Sequence, residues 1–354
     1  MQYKGIIDRY GEFLDLPADI TPVTLYEGNT PLIPVPAIAA ALGGGFELYV
    51  KYEGLNPTGS FKDRGMSAAV TMAVYNKKKT IMCASTGNTA ASAAAYANRA
   101  GLRSIVMIPE GKVALGKLAG AIAYQAEVIQ IPGSFDDAFA FVIEICQKSE
   151  IELVNSLNPY RLEGQKSGAF EICDSLGNAP DWLCIPVGNA GNISAYWMGF
   201  NQYNSTKKTG LPQILGVQAE GSAPLVVGHS VDNPETIATA IRIGNPARGE
   251  QALSVAEESK GSIIAVSDQK ILEAQKMLTK SGIWVEPASA AGLAGLKDQV
   301  ESGKLDPKGK QIVLICTGHG MKDPDIITSN GVKPTLLPLD YNKVAEYILG
   351  GNPR

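Results

Sequence analysis

Histidine is nearly missing from this chain, with 2 residues in 354, His229 and His319. That excludes a multi-histidine metal site, and a Cys/His zinc site lacks its spacing. Five cysteines (Cys83, Cys146, Cys173, Cys184, Cys316) form no C-x-x-C pair. Such an odd, scattered set reads as reduced core thiols of a cytoplasmic protein. Neither charge sign is in excess: 31 Lys and Arg face 35 Asp and Glu, a net charge of −4. This argues against nucleic acid as the main partner. One charge-free run, 182–206, is long enough to span a membrane, but it contains Pro186, Gly188, Asn189, Gly191 and Asn192. It is therefore not a transmembrane helix. The first nine residues carry Lys4, Asp8 and Arg9 and do not read as a signal peptide. No internal repeat, low-complexity tract or proline-rich linker occurs.

What is present suits a globular protein: 45% hydrophobic and 19% charged residues, in a length of about two ~150-residue domains. Glycine is abundant, 38 residues with no G-X-Y period, which points to tight loops approaching a ligand. Strand-like runs fall at 48–51, 80–84, 103–108, 127–131, 151–155, 182–187, 213–218, 262–266 and 311–316. Helical patterns lie between most of them. One begins at Ser60 with Asp63 at the capping-box position, one runs from Thr89 to a stop at Gly101, and one spans 267–280 before Gly282. The alternation predicts an α/β fold with mostly parallel twisted sheets flanked by helices. In such sheets ligands sit at the carboxyl ends of strands.

The unusual segments fall in those loops. Asn56-Pro-Thr-Gly-Ser-Phe-Lys-Asp-Arg-Gly65 places Lys62 in a first helical turn. The helix dipole and burial beside Phe61 both lower a lysine pKa there, as Schiff-base chemistry requires. Ser85-Thr-Gly-Asn-Thr89 and Gly188-Asn-Ala-Gly-Asn192 each join a strand to a helix start and can cradle an anion. Neither is a dinucleotide fingerprint. Cys316-Thr-Gly-His-Gly-Met-Lys-Asp323 closes the last strand, with the Thr317 hydroxyl able to reach a heterocycle nitrogen and His319 expected to be solvated. Gly111-Lys-Val-Ala-Leu-Gly-Lys-Leu118 matches G-x-x-x-x-G-K but has Leu118 where a P-loop needs Ser or Thr. Taken singly, each has an ordinary reading as a surface lysine or a capped turn. Together they supply a lysine, two anion cradles and a neutral hydroxyl, the set that pyridoxal 5′-phosphate needs.

From Glu27-Gly-Asn-Thr-Pro-Leu32 to Lys322-Asp-Pro324 the sequence resembles the threonine synthase family, in the tryptophan-synthase-β-like group (fold type II) of pyridoxal-phosphate enzymes. The Asn56–Gly65 segment marks the broad group. Asn155-Ser-Leu-Asn-Pro-Tyr-Arg-Leu-Glu-Gly-Gln-Lys166 and the segment 317–324 are closer to threonine synthases.

The resemblance implies two lobes with the cofactor in the cleft between them. A small mobile lobe would cover 60–155, and a large lobe 1–59 plus 156–354. It implies an internal aldimine at Lys62, Asn88 on the cofactor's 3′-oxygen, and Gly188, Asn189, Ala190, Gly191 and Asn192 around its phosphate. Thr317 would meet the pyridine nitrogen. Ser85, Thr86 and Thr89 would hold the substrate carboxylate, and Asn155, Ser156, Arg161, Asn189 and Lys117 its phosphate.

The implied reaction converts O-phospho-L-homoserine and water to L-threonine and phosphate, in a cytoplasmic homodimer without metal, membrane or nucleic-acid partner. Two departures are small: Met321 stands where Leu is expected, and Ser167 where Thr is. The alternatives are a threonine or serine dehydratase, whose phosphate cup usually has consecutive glycines, and a non-catalytic nucleotide or anion-binding module.

Overall fold

The structure, a computed structural model, describes residues 2–111, 115–324 and 334–350, and not the side chains at 115–117 and 136. Two compact units are present, Met1–Lys322 and Asp323–Arg354. In the second, helix Tyr341–Leu349 is capped by Asp340, whose side chain accepts from the Lys343 N–H at 3.1 Å.

The order in the first unit is α1 (Ile6–Tyr10), β1 (Leu32–Pro34), α2 (Pro36–Ala41), β2 (Glu47–Tyr52), α3 (Lys62–Tyr75), β3 (Thr80–Ala84) and α4 (Asn88–Ala100). Then follow β4 (Arg103–Pro109), α5 (Leu115–Ala123), β5 (Glu127–Ile131), α6 (Phe135–Gln147), β6 (Glu152–Leu153), α7 (Pro159–Leu176), β7 (Trp182–Pro186) and α8 (Gly191–Lys207). The unit closes with β8 (Gln213–Ala219), α9 (Pro224–Val227), α10 (Gly249–Glu258), β9 (Ser262–Val266), α11 (Asp268–Lys280), α12 (Pro287–Glu301) and β10 (Gln311–Cys316).

Two sheets result, a six-stranded one in the order β1-β2-β10-β7-β8-β9 and a four-stranded one in the order β5-β4-β3-β6. All pairings are parallel except β1 with β2. Both faces of each sheet are covered, as parallel sheets require. On β10 the alternation is plain: Ile312, Leu314 and Cys316 join a core with α11 and α12, while Val313 and Ile315 join one with α7 and α8. The four-stranded sheet packs Ile81, Cys83, Val106 and Ile108 against α3 and α4, and Met82, Ile105 and Met107 against α6.

The nine expected strands are all present, most within a residue of the expected bounds. The tenth, β1, is a three-residue antiparallel edge strand ending in a proline, too short for a periodic signal. Strand β6 is two residues rather than five. The Asn155 side chain takes over its pairing: Oδ1 accepts from the Ala84 N–H at 3.0 Å, and Nδ2 donates to the Ala84 carbonyl at 2.8 Å.

Helix α3 begins at Lys62, not Ser60, and has no capping box. Ser60 pairs with Gly318 instead, and Asp63 turns back to accept from the Thr58 N–H (2.6 Å), the Thr58 hydroxyl (2.5 Å) and the Ser92 hydroxyl (2.6 Å). Tertiary pairing there overrides the local cap. Pro109 ends β4 opposite Ile131. The G-x-x-x-x-G-K segment lies partly outside the described residues, Lys112 included. Among the described residues no helix is long and apolar enough to cross a membrane, and no cluster could hold a metal.

Candidate active site

Every segment singled out in the sequence follows a strand's carboxyl end, except the one carrying Lys62, which leads into α3. Ser85 and Thr86 follow β3, Asn155 and Ser156 follow β6, Gly188 follows β7, and Thr317 follows β10.

Lys62 is the first residue of α3, so its ammonium meets the positive helix end. Its Nζ lies 4.4 Å from the Phe61 ring centroid. Burial, then the nearby Arg161 charge, pulls the amine down to about 7, opposed by Glu286. A lowered lysine pKa makes the neutral, nucleophilic amine accessible near neutral pH.

The loop after β10 holds this corner in place. The Phe61 N–H donates to the Thr317 carbonyl at 3.0 Å, and the His319 N–H to the Gly59 carbonyl at 2.9 Å. The buried Thr317 hydroxyl lies 2.9 Å from the Ser289 hydroxyl, which also accepts from the Gly318 N–H at 2.8 Å. His319 is only partly solvated. It is half-buried between Tyr52 and Trp284, with ring centroids at 6.0 and 5.5 Å. Those two rings shield part of it from water, and burial lowers its pKa.

Arg161, in the first turn of α7, reaches Lys62 because α3 and α7 cross at glycines. A Cβ on Gly65 would lie 2.7 Å from the Arg161 carbonyl oxygen, and one on Gly164 would overlap the Arg64 carbonyl oxygen. Anchoring the crossing is a buried cluster in which Arg64 donates to Glu53 (2.7 and 2.8 Å) and Glu171 (2.8 and 2.6 Å), with Lys51 on Glu171 at 2.6 Å. Arg64 and Lys51 hold the Glu171 carboxyl well below its usual range.

Arg161 itself has no such relief. It is 1% exposed and, among the described residues, donates one bond, to the Val154 carbonyl at 3.2 Å, and leaves Nε without a partner. Burial pulls it down to about 10. The adjacent Cys83 thiol, pushed up to about 12, offers no counter-charge at neutral pH. The Asp63 carboxylate acts on it only at a distance, and a buried, charged guanidinium with no carboxylate in hydrogen-bond contact among the described residues can receive an anion that arrives with a ligand.

Beside it, Gly188–Asn192 forms the second cradle. Ala190 takes a left-handed conformation at the N-cap of α8, so successive backbone N–H groups converge at the helix start. Asn192 is buried with neither amide atom hydrogen-bonded among the described residues. A Cβ on Gly188 would lie 3.1 Å from the Ile241 Cα, so glycine lets that backbone pass. A Cβ on Gly191 would lie 3.9 Å from the Ser156 Cβ, which places the 155–161 segment against the cradle. An acid-free cradle with an unsatisfied amide, a low-pKa lysine and a buried hydroxyl fit the phosphate, carbonyl and ring nitrogen of pyridoxal phosphate.

The Ser85–Thr89 segment opens α4, and the Ser85 hydroxyl accepts from the Gly87 N–H at 3.2 Å. Asn88 Nδ2 donates to Glu286 at 2.9 and 3.2 Å. Lys117 lies on α5, but its side chain is outside the described residues. Sequence reasoning missed Glu286, Ser289 and Arg248. The last donates to the Ser156 carbonyl at 3.0 Å and the Leu157 carbonyl at 3.3 Å, while the neighbouring Ala247 N–H reaches Asn189 Oδ1 at 3.4 Å. The one sequence signal for Glu286 and Ser289 was a proline-led helix start at Pro287.

Comparison with known proteins agrees with this chemistry. Residues 23–318 match the family described as pyridoxal-phosphate dependent enzyme. The chain is 54% identical to the threonine synthase of Halalkalibacterium halodurans, over 100% of this chain and 99% of that one. It is 48% identical to the threonine synthase of Mycobacterium leprae, over 98% and 96%. Among solved structures, maize serine racemase superposes with a TM-score of 0.73 at 23% identity, covering 86% of this chain and 92% of that one, a likeness of fold.

Proposed function

The chain belongs to the threonine synthases of the pyridoxal-phosphate dependent enzyme family, and from that premise we propose that it converts O-phospho-L-homoserine and water to L-threonine and phosphate. The observation that carries the substrate is Arg161, buried and charged beside Lys62 with no carboxylate partner among the described residues. A dehydratase acting on free threonine or serine has no phosphate to satisfy such a group.

Lys62 would hold the cofactor through its carbonyl carbon, Gly188–Asn192 would hold its phosphate, Asn88 its ring oxygen, and Thr317 its ring nitrogen. When bound, pyridoxal phosphate supplies an electron sink for carbanions formed along the substrate chain. Ser85, Thr86 and Thr89 receive the substrate carboxylate at the N-terminus of α4, where the dipole favours an anion. Arg161, Ser156 and Asn189 receive the substrate phosphate. Asn155, committed to the Ala84 backbone, supports that group chiefly by fixing the end of β3. Once released by the substrate amine, Lys62 is a base matched to neutral pH and takes the Cα proton. Loss of a Cβ proton lets the phosphate leave with the electron pair of its Cγ–O bond, held by Arg161; Cγ then regains that proton, and water adds its hydroxyl at Cβ while the Cα proton is restored. Thr317 would be a neutral partner for the ring nitrogen, offering it no carboxylate to hold a proton there.

The segment 60–155 acts as the small mobile lobe; its four strands pair only with one another among the described residues. A cytoplasmic homodimer completes the reading, supported by five unpaired cysteines and tested by sedimentation. The function is tested by incubating the chain and pyridoxal phosphate with O-phospho-L-homoserine. Threonine and phosphate in equal amounts are expected; 2-oxobutanoate from added threonine, with no phosphate release, would assign it to the dehydratases instead.

A further inference from the structure

Glu286 is buried and stands at the N-cap of α12, yet its side chain makes no capping bond. Capping is what an acid at that position ordinarily does. Its carboxylate lies instead against Gly318, where any Cβ would collide with it, and accepts from Asn88 Nδ2 with both oxygens. The contact joins the loop before β10's helix partner, α12, to the start of α4 on the other sheet.

A carboxylate only accepts hydrogen bonds, whereas an amide can present either end. Facing Glu286, Asn88 must turn its nitrogen inward, because the reversed amide would set a carbonyl oxygen against two carboxylate oxygens. An amide nitrogen carries two hydrogens; one N–H, forked between the two Glu286 oxygens at 2.9 and 3.2 Å, leaves the other to offer. We infer that Glu286 is a positioning residue that locks Asn88 nitrogen-forward, so that Asn88 offers an N–H, and not its carbonyl, to the cofactor's anionic ring oxygen. This rests on the assignment of Asn88 to that oxygen.

Glu286 also acts at a distance on Lys62 and Lys322, raising both amines. A substitution therefore changes local charge as well as Asn88, and a double-mutant cycle separates the two. The measurement is the apparent dissociation constant of pyridoxal phosphate for the full chain, with the position of the visible band, in wild type, E286Q, N88A and the double variant. Glutamine keeps the shape but lets Asn88 turn either way. E286Q should weaken the cofactor about three- to tenfold, the worth of one oriented hydrogen bond. N88A should weaken it at least as much, and the double variant no further than N88A.

An E286Q effect that persists undiminished in the N88A background overturns the inference, because Glu286 then acts through charge alone. Unchanged binding in E286Q with weakened binding in N88A also overturns it, while leaving the Asn88 assignment standing. If N88A alters neither affinity nor band, that assignment falls and takes the inference with it. Should E286Q fail to fold, E286D, which shortens the same acceptor, enters the same cycle.

Discussion

Arg161→Met should damage binding and help folding at once. The guanidinium is 1% exposed, and its pKa falls from the ordinary arginine value to about 10. That displacement corresponds to ~3 kcal/mol against the charged form in the folded state. The group is a base with a lowered folded pKa, so the penalty is complete below pH 10 and fades only above it. Methionine has comparable length and no charge. It removes the penalty and loses one hydrogen bond, to the Val154 carbonyl, worth ~1 kcal/mol. The ligand-free chain should therefore gain ~2 kcal/mol, a rise of about 3 °C in melting temperature. The substrate phosphate loses a charge-assisted contact worth ~1.5–3 kcal/mol, about 10- to 150-fold in kcat/KM for phosphohomoserine. Thermal unfolding by circular dichroism and steady-state phosphate release read the two effects. A melting temperature lowered by several degrees, with kcat/KM unchanged, would show that Arg161 is a structural residue and refute the anion-site argument.

Three further outcomes follow from the same geometry. Attachment of pyridoxal phosphate, followed by its visible band, should accelerate with pH and level off above about 7 as the Lys62 amine loses its proton; a midpoint near that of an ordinary lysine would contradict the burial argument. Gly164→Ala should force α3 and α7 apart at the Arg64 carbonyl, costing about 1–3 kcal/mol by denaturant unfolding and lowering kcat/KM as Arg161 moves from Lys62; an unchanged enzyme would mean the crossing has slack. Arg64→Met should cost about 3–5 kcal/mol, because Glu53 and Glu171 are left buried with only Lys51 between them; a neutral result would show the cluster hydrated.

The strands were legible because parallel strands covered on both faces read as short β-branched apolar runs, such as 311–316 between loops. The site loops were legible because they stand where strands end and helices begin. What was not legible depends on contacts far apart in sequence. Asp63 looked like a cap until Thr58 and Ser92 claimed it. Asn155 looked like a ligand-binding amide, but both of its polar atoms are held by Ala84, 71 positions away. Glu286 reaches Asn88 across 198 positions, a meeting no local pattern encodes. The close helix crossing at Gly65 and Gly164, which sets Arg161 beside Lys62, is likewise visible only once α3 and α7 are packed.

The central claim is that phosphate leaves with its bridging oxygen from Cγ and that water enters at Cβ. Turnover of O-phospho-L-homoserine in ¹⁸O-labelled water, with both products analysed by mass spectrometry, tests it most directly. The account predicts one ¹⁸O in the threonine hydroxyl and none in the phosphate. Label in the phosphate, with homoserine as the other product, would show hydrolysis at phosphorus and contradict it.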